Sequence, residues 1–233
     1  MKTFKHYVNK IEPVVITEAK EPDARCIILS GSLKANDNKS TSNYMADLVK
    51  ERLKQANIEV EIVYLHDIDI TPGVEREVNN EPDDFTEVID KIKDTDILII
   101  ATPIWWGIQS SLTQAASERL TWFDDEALRM NKNLIYGKVF GCIISGADDG
   151  WQHIQGNLYN FASSIGFTIP PDAALSSSAQ GKEAVDKDKD TQKSLERFCS
   201  NMIYWGKTLK QQDFHNGTQL FGYNKTGYIS GKS

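Results

Sequence analysis

The segment Asp96-Ile-Leu-Ile-Ile-Ala101 is apolar at five consecutive positions, so a strand made from it has to bury both faces. A strand with one wet face would alternate, whereas continuous hydrophobicity over strand length belongs to the centre of a parallel sheet. Arg25-Cys-Ile-Ile-Leu29 and Val139-Phe-Gly-Cys-Ile-Ile144 read the same way, and Glu59-Val-Glu-Ile-Val-Tyr-Leu65 is a fourth strand, rich in β-branched residues. Amphipathic helices fall between them. Met45, Leu48, Val49, Leu53 and Ala56 recur at helical spacing and end at Asn57. Phe85, Val88, Ile89 and Ile92 follow the acidic pair Asp83 and Asp84, which suits the positive end of a helix. Further helices are expected over about 110–123, over 151–165 with a stop at Gly166, and over 183–210. A last short strand is expected between Thr168 and Leu175, kinked by Pro170 and Pro171. Alternating strands and helices imply a parallel sheet with helices on both faces.

A chain of 233 residues suits one such α/β domain with extensions. The domain is expected over 24–210, with a polar N-terminal extension over 1–23 and a Gly- and Asn-rich tail over 211–233. The formal net charge is −7 and the sequence pI about 5.2, which repels nucleic acid at long range. No apolar stretch reaches membrane-spanning length, and Met1 to Lys20 lacks the apolar core of a secretory signal. Cys26, Cys142 and Cys199 are too scattered for a zinc or iron–sulfur site and read as buried small hydrophobes of a reducing compartment. No metal is expected, and a cytoplasmic location is. The sequons at Asn38, Asn216 and Asn224 carry no weight without secretion, and His66, His153 and His215 are isolated. Glu118-Arg119 reads as a structural ion pair, and the Lys/Asp alternation at 186–190 as a solvated helix face.

Open α/β sheets bind ligands beyond the carboxyl ends of their strands, where the strand order reverses. Three such ends carry unusual residues. Ser30-Gly-Ser32 opens a polar loop that runs through Ser40, Thr41 and Ser42 into a helix. A helix N-terminus offers unpaired N–H groups to a phosphate, and the hydroxyls add donors. Neither a Walker loop nor a Gly-x-Gly-x-x-Gly fingerprint is present. Thr102-Pro103-Ile104-Trp105-Trp106-Gly107 is a tight turn on which one indole could wall a flat aromatic ligand while the other packs inward; Gly107 would let backbone approach that ligand. Ser145, Gly146, Asp149 and Gly150 belong to a short loop, suited to close backbone contact with a ligand edge, that leads into the helix at Trp151.

Taken together, these turns resemble the flavodoxin-like NADPH-dependent FMN reductase group, including its quinone-reductase and iron–sulfur-flavoprotein branches. Gly31, Ser32 and Ser40 to Ser42 match its first loop. Pro103, Trp105, Trp106, Gly107 and Ser110, followed by Glu118-Arg119, match its most specific motif. Gly146 and Gly150 match its third loop. The resemblance covers about residues 25–175 and implies a doubly wound five-stranded parallel sheet of order 2-1-3-4-5. It implies that Ser32 and Ser40 to Ser42 hold the FMN phosphate, that Pro103 to Gly107 line the isoalloxazine ring, and that Ser145 to Gly150 close its other edge. The iron–sulfur branch has a cysteine cluster after strand two; residues 66–84 contain no cysteine, so no cluster is expected. Asp148 and Asp149 stand where glycines are common, and carboxylates there would disfavour a phosphate-bearing nicotinamide.

The reading that follows is an FMN-dependent oxidoreductase that takes hydride from NAD(P)H and passes electrons to a quinone-like or other small acceptor. The flavin would do the chemistry, so no catalytic side chain is named. The resemblance also implies a homo-oligomer. The alternatives are a flavodoxin-type electron carrier between partner proteins and a non-flavin regulator; the latter would need an acidic pair where Ser30-Gly-Ser32 stands.

Overall fold

The structure, a computed structural model, describes residues 21–34, 40–147 and 149–212. Most of the expected N-terminal extension, Asn38, Asp148, and the tail from Asp213 with His215, Asn216 and Asn224 lie outside the described residues. Five strands, β1 (Ala24–Ser30), β2 (Ile58–Tyr64), β3 (Ile97–Pro103), β4 (Val139–Ser145) and β5 (Ala174–Ser177), form a sheet of order β2-β1-β3-β4-β5. Every pairing is parallel. β4 is buried at all seven positions and β3 at six of seven, as continuous hydrophobicity requires of central strands. β2, at one edge, alternates buried with exposed residues over its first four positions.

Helices α2 (Asp84–Lys93), α3 (Ser111–Leu120), α4 (Trp122–Met130) and α5 (Trp151–Ile165) cover one face, where Phe85, Ile89, Phe123 and Leu158 pack against Leu98 and Ile100. Helices α1 (Thr41–Gln55), α6 (Lys182–Lys187) and α7 (Lys189–Gln211) cover the other, where Met45, Val49, Leu53, Phe198 and Met202 meet Ile97 and Ile99. β3 thus sends alternate side chains into two cores, the period-2 geometry of a strand.

Three expected elements are divided or moved. The last strand is Ala174–Ser177; Thr168 makes only an isolated bridge to Val139, because Pro170 and Pro171 offer no N–H to a ladder. The terminal helix is two helices. Asp188, extended at φ −78° and ψ 104°, ends α6 and caps α7 by accepting from Asp190 N, so the 186–190 segment is a junction as well as a solvated face. The helix expected to stop at Phe123 turns at Thr121 and continues as α4 to Asn131, which takes the left-handed conformation at φ 52°.

The register positions the site. Pro103 lies level with Ser145, and Ser145 with Ser177, whereas Ser30 pairs with Ala101. β1 therefore stops two residues short of its neighbour at the point where chain order reverses, leaving a notch at the carboxyl edge.

Candidate functional site

The first loop is tied to the notch by backbone and hydroxyls. Gly31 N–H donates to the Ala101 carbonyl at 2.7 Å, and the Gly31 carbonyl accepts from Ser110 Oγ at 2.6 Å. A Cβ on Gly31 would lie 2.0 Å from Thr113 Oγ1, so only glycine fits against the start of α3. Ser110 also caps α3 through Thr113 N and donates its own N–H to Thr102 Oγ1, locking the first turn to the second.

Ser40 caps α1, its Oγ accepting from Asn43 N and lying 2.8 Å from Ser32 Oγ. The N–H groups of Thr41 and Ser42 lie in the first turn, where the helix supplies no partner. Ser42 Oγ meets Ser145 Oγ at 2.8 Å, and Thr41 Oγ1 accepts from Gly181 N at 2.9 Å. The N-terminus of α1 is therefore pinned to the end of β4 and the start of α6. Ser30 is buried behind it, donating to Asn43 Oδ1 at 2.5 Å; the Asn43 Nδ2 is buried with no hydrogen-bond partner among the described residues.

The second turn is a two-residue hairpin. Trp105 and Ile108 exchange N–H···O bonds of 2.8 and 3.0 Å, and the central residues Trp106 and Gly107 both have positive φ, 52° and 79°. This geometry overturns the expectation that one indole packs inward: Trp106 is 94% exposed at the tip, and Trp105 is 46% exposed. An indole at the tip of such a turn has no core within reach.

Glycine joins the second turn to the third. A Cβ on Gly150, at φ 121°, would lie 2.5 Å from Gly107 Cα, and one on Gly146 would lie 2.7 Å from Ile104 Cβ. The expected freedom of Gly107 to approach a ligand is thus spent on backbone contact with Gly150. Asp149 accepts from Gly150 N and shapes the loop.

Ser32, Ser40, Thr41, Ser42, Pro103, Ile104, Trp105, Ser145 and Gly146 line one cleft of about 240 Å³. Ser30, Trp106, Gly107, Asp149 and Gly150 stand outside its lining and build or support the turns. Leu33, Lys34, Ala147 and Gln180 complete it. Leu33, Lys34 and Ala147 lie within the loops read from sequence, but Gln180 follows a strand whose end had been placed too early. Lys34 is the one ionisable side chain among those lining residues.

Arg119 does not pair with Glu118, as sequence suggested. Adjacent helical residues point to different sides, and Glu118 instead accepts from Gln114 one turn back. The Arg119 guanidinium is fully buried against Asp83 and the carbonyls of Thr71, Glu75 and Arg76, clamping the 68–82 loop to α3. Burial pushes the Asp83 carboxyl up, but hydrogen bonds from Arg119, Thr71 N and Thr86 outweigh it and hold it well below the usual carboxylate range.

The sequence profile of NADPH-dependent FMN reductases matches residues 24–181. The 8-demethyl-8-aminoriboflavin-5′-phosphate synthase of Streptomyces davaonensis is 28% identical over 162 residues, covering 64% of this chain and 62% of that relative. The chain thus spans about three fifths of that protein's length. The crystal structure of RosB with bound 8-demethyl-8-formylriboflavin-5′-phosphate superposes with a TM-score of 0.73 at 24% identity, covering 81% of each chain. An apo NADH:FMN oxidoreductase, EMOB, superposes at 0.59 with 17% identity over 78% of this chain and 89% of that one. Both share the flavodoxin-like fold.

Proposed function

Because the chain belongs to the NADPH-dependent FMN reductase family, we propose that its strand-end cleft holds FMN and passes electrons from NAD(P)H to a quinone-like or other small acceptor. Flavin-dependent oxidoreduction, with FMN as cofactor and NAD(P)H as co-substrate, is the chemistry of that family.

One observation carries the reading: the cleft at the reversal of strand order is lined by hydroxyls and main chain from three turns, and the single ionisable residue among its described lining is a cation. The residues fit a phosphorylated flavin. The phosphate would take the first-turn N–H groups of Thr41 and Ser42, which have no partner within the helix, the Ser32 and Ser40 hydroxyls, and Lys34. Pro103, Ile104 and Trp105 would carry the flat ring system, with Gly146 and Ala147 across from them. The hairpin of Trp106 and Gly107, braced by Asp149 and Gly150, fixes where Trp105 stands. FMN, when bound, supplies the capacity to accept a hydride and release two electrons. The protein contributes orientation and exclusion of water, and among the described residues the side chains lining the cleft include no carboxylate or imidazole to move a proton. Overall, the nicotinamide loses a hydride, and a quinone leaves as hydroquinone after taking a second proton from water. The buried free thiols of Cys26, Cys142 and Cys199 fit a cytoplasmic setting.

Stopped-flow mixing of the FMN-loaded protein with NADH and with NADPH tests the proposal. Bleaching of the flavin band by at least one nicotinamide, then its return on adding a quinone, is expected. Reduction by neither, with reduction by a partner redox protein, would replace the enzyme with an electron carrier.

A further inference from the structure

A second cleft, of about 460 Å³, opens at the carboxyl end of β5 against the start of α7 and shares Ile104 and Gly146 with the first. Its character is different. Among the described residues, the first cleft presents Lys34 alone as an ionisable lining residue; the second presents only Asp188 and Asp190, set among Ser176, Ser178 and Ser194. Trp151, 38% exposed, forms an apolar wall at the start of α5.

Given the flavin reductase reading above, on which this rests, we propose that the β5–α7 cleft receives the adenosine half of the nicotinamide donor and that Asp188 and Asp190 select NADH over NADPH. A donor whose nicotinamide meets the flavin beside Ile104 has its other half led across Gly146, the other residue both clefts share. A ribose 2′-hydroxyl donates to a carboxylate, whereas a 2′-phosphate brings close to two further negative charges against it. The indole of Trp151 offers a flat face to a base.

The Asp188 carboxylate is built in. It accepts from Thr191 Oγ1 at 2.6 Å and from Asp190 N at 3.1 Å, bonds that keep it below the usual carboxylate range and therefore charged near neutrality. Thr191 Oγ1 in turn meets Ser177 Oγ at 2.8 Å, so the charge is fixed to the end of β5. Asp188 also caps α7, which explains its presence without a ligand. Asp190 stands exposed in the first turn of α7, where the positive helix end suits an acid; its carboxylate makes no hydrogen bond or ion pair among the described residues and lines the cleft.

The experiment is calorimetric titration of the FMN-loaded protein with adenosine 5′-monophosphate and with adenosine 2′,5′-bisphosphate, alongside flavin reduction by NADH and NADPH. The bisphosphate is expected to bind about tenfold more weakly, equivalent to about 1.4 kcal/mol, and NADH to reduce the flavin more efficiently by a similar factor. Asp190→Asn should narrow both ratios at least about threefold by improving the phosphorylated ligand. Asp188→Asn, which keeps a capping side chain, should act in the same direction. Equal or tighter binding of the bisphosphate, no binding of either nucleotide, or ratios that neither substitution moves would overturn the proposal. Nucleotide binding needs no turnover. A protein that binds adenosine 5′-monophosphate with this discrimination, yet is reduced by neither dinucleotide, would support the site and sink the reductase reading instead.

Discussion

The Ser42–Ser145 hydrogen bond joins residues 103 positions apart, and both side chains are buried. Replacing Ser42 with Ala leaves the Ser145 hydroxyl without that partner, a loss of about 1–3 kcal/mol. For a chain of this size the melting temperature should fall by roughly 2–10 °C, measurable by calorimetry; an unchanged melt would show that the pair pins nothing. Ser32 makes a contrasting case, since its hydroxyl, which meets Ser40 Oγ at 2.8 Å, is one of the proposed donors to the phosphate. Ser32→Ala should weaken FMN binding about five- to tenfold and leave riboflavin binding unchanged, because only the phosphorylated ligand uses that donor. Equal losses for both ligands would place the phosphate elsewhere. The two indoles separate as cleanly. Trp105→Ala should weaken FMN binding and shift its visible spectrum, while Trp106→Ala at the exposed tip should leave affinity within about twofold, as titration by flavin fluorescence would report. Which indole faces the cleft was not legible in the sequence, because tandem residues on a hairpin tip obey neither helical nor strand periodicity.

At the scale of elements, the clamp of α3 on the 68–82 loop depends on one buried ion pair. Arg119→Met strands the Asp83 carboxylate and should cost about 3–5 kcal/mol, whereas replacing both partners with apolar residues should cost less. The pH dependence follows from the depressed Asp83. Its folded value lies below the unfolded one of about 3.9, so its contribution is fully present above about pH 4 and is lost as pH falls through the folded value. Acid unfolding of Asp83→Asn should begin from a less stable protein and depend less steeply on pH below about 4; an identical profile would remove the pair from the account. Sequence placed Arg119 on a helix correctly and its partner wrongly, since Asp83 lies 36 positions away and no local spacing encodes that contact. The acids before Phe85 were legible as a helix start because that signal is local, and the structure adds that Asp83 and Thr86 form a reciprocal capping pair at the start of α2. The break at Asp188 was not, because a helix that stops for one residue keeps the composition of a continuous one.

Across the whole molecule, the covered parallel sheet and both cores follow from patterns that sequence displays openly, whereas the strand order was implied by the family resemblance. β3 is apolar from Ile97 to Ala101 and β4 from Val139 to Ile144, and helical stripes such as Met45, Val49 and Leu53 need a sheet to cover. The edge at β5 was harder, because Pro170 and Pro171 end a segment that reads as strand, and Gln180 and the second cleft lie beyond it. Polar loops could be recognised as candidates one at a time. Their convergence depends on register, on the two residues by which β1 falls short of β3, and on glycines at 31, 146 and 150 that admit neighbouring atoms where a Cβ would stand. The central claim is that this convergence grips a phosphorylated flavin. Fluorescence titration of the flavin-free protein with FMN and with riboflavin tests it most directly. The account predicts stoichiometric uptake of FMN with riboflavin at least about tenfold weaker, the phosphate contacts supplying about 1.4 kcal/mol or more. Equal affinity for both flavins, or uptake of neither, would contradict it.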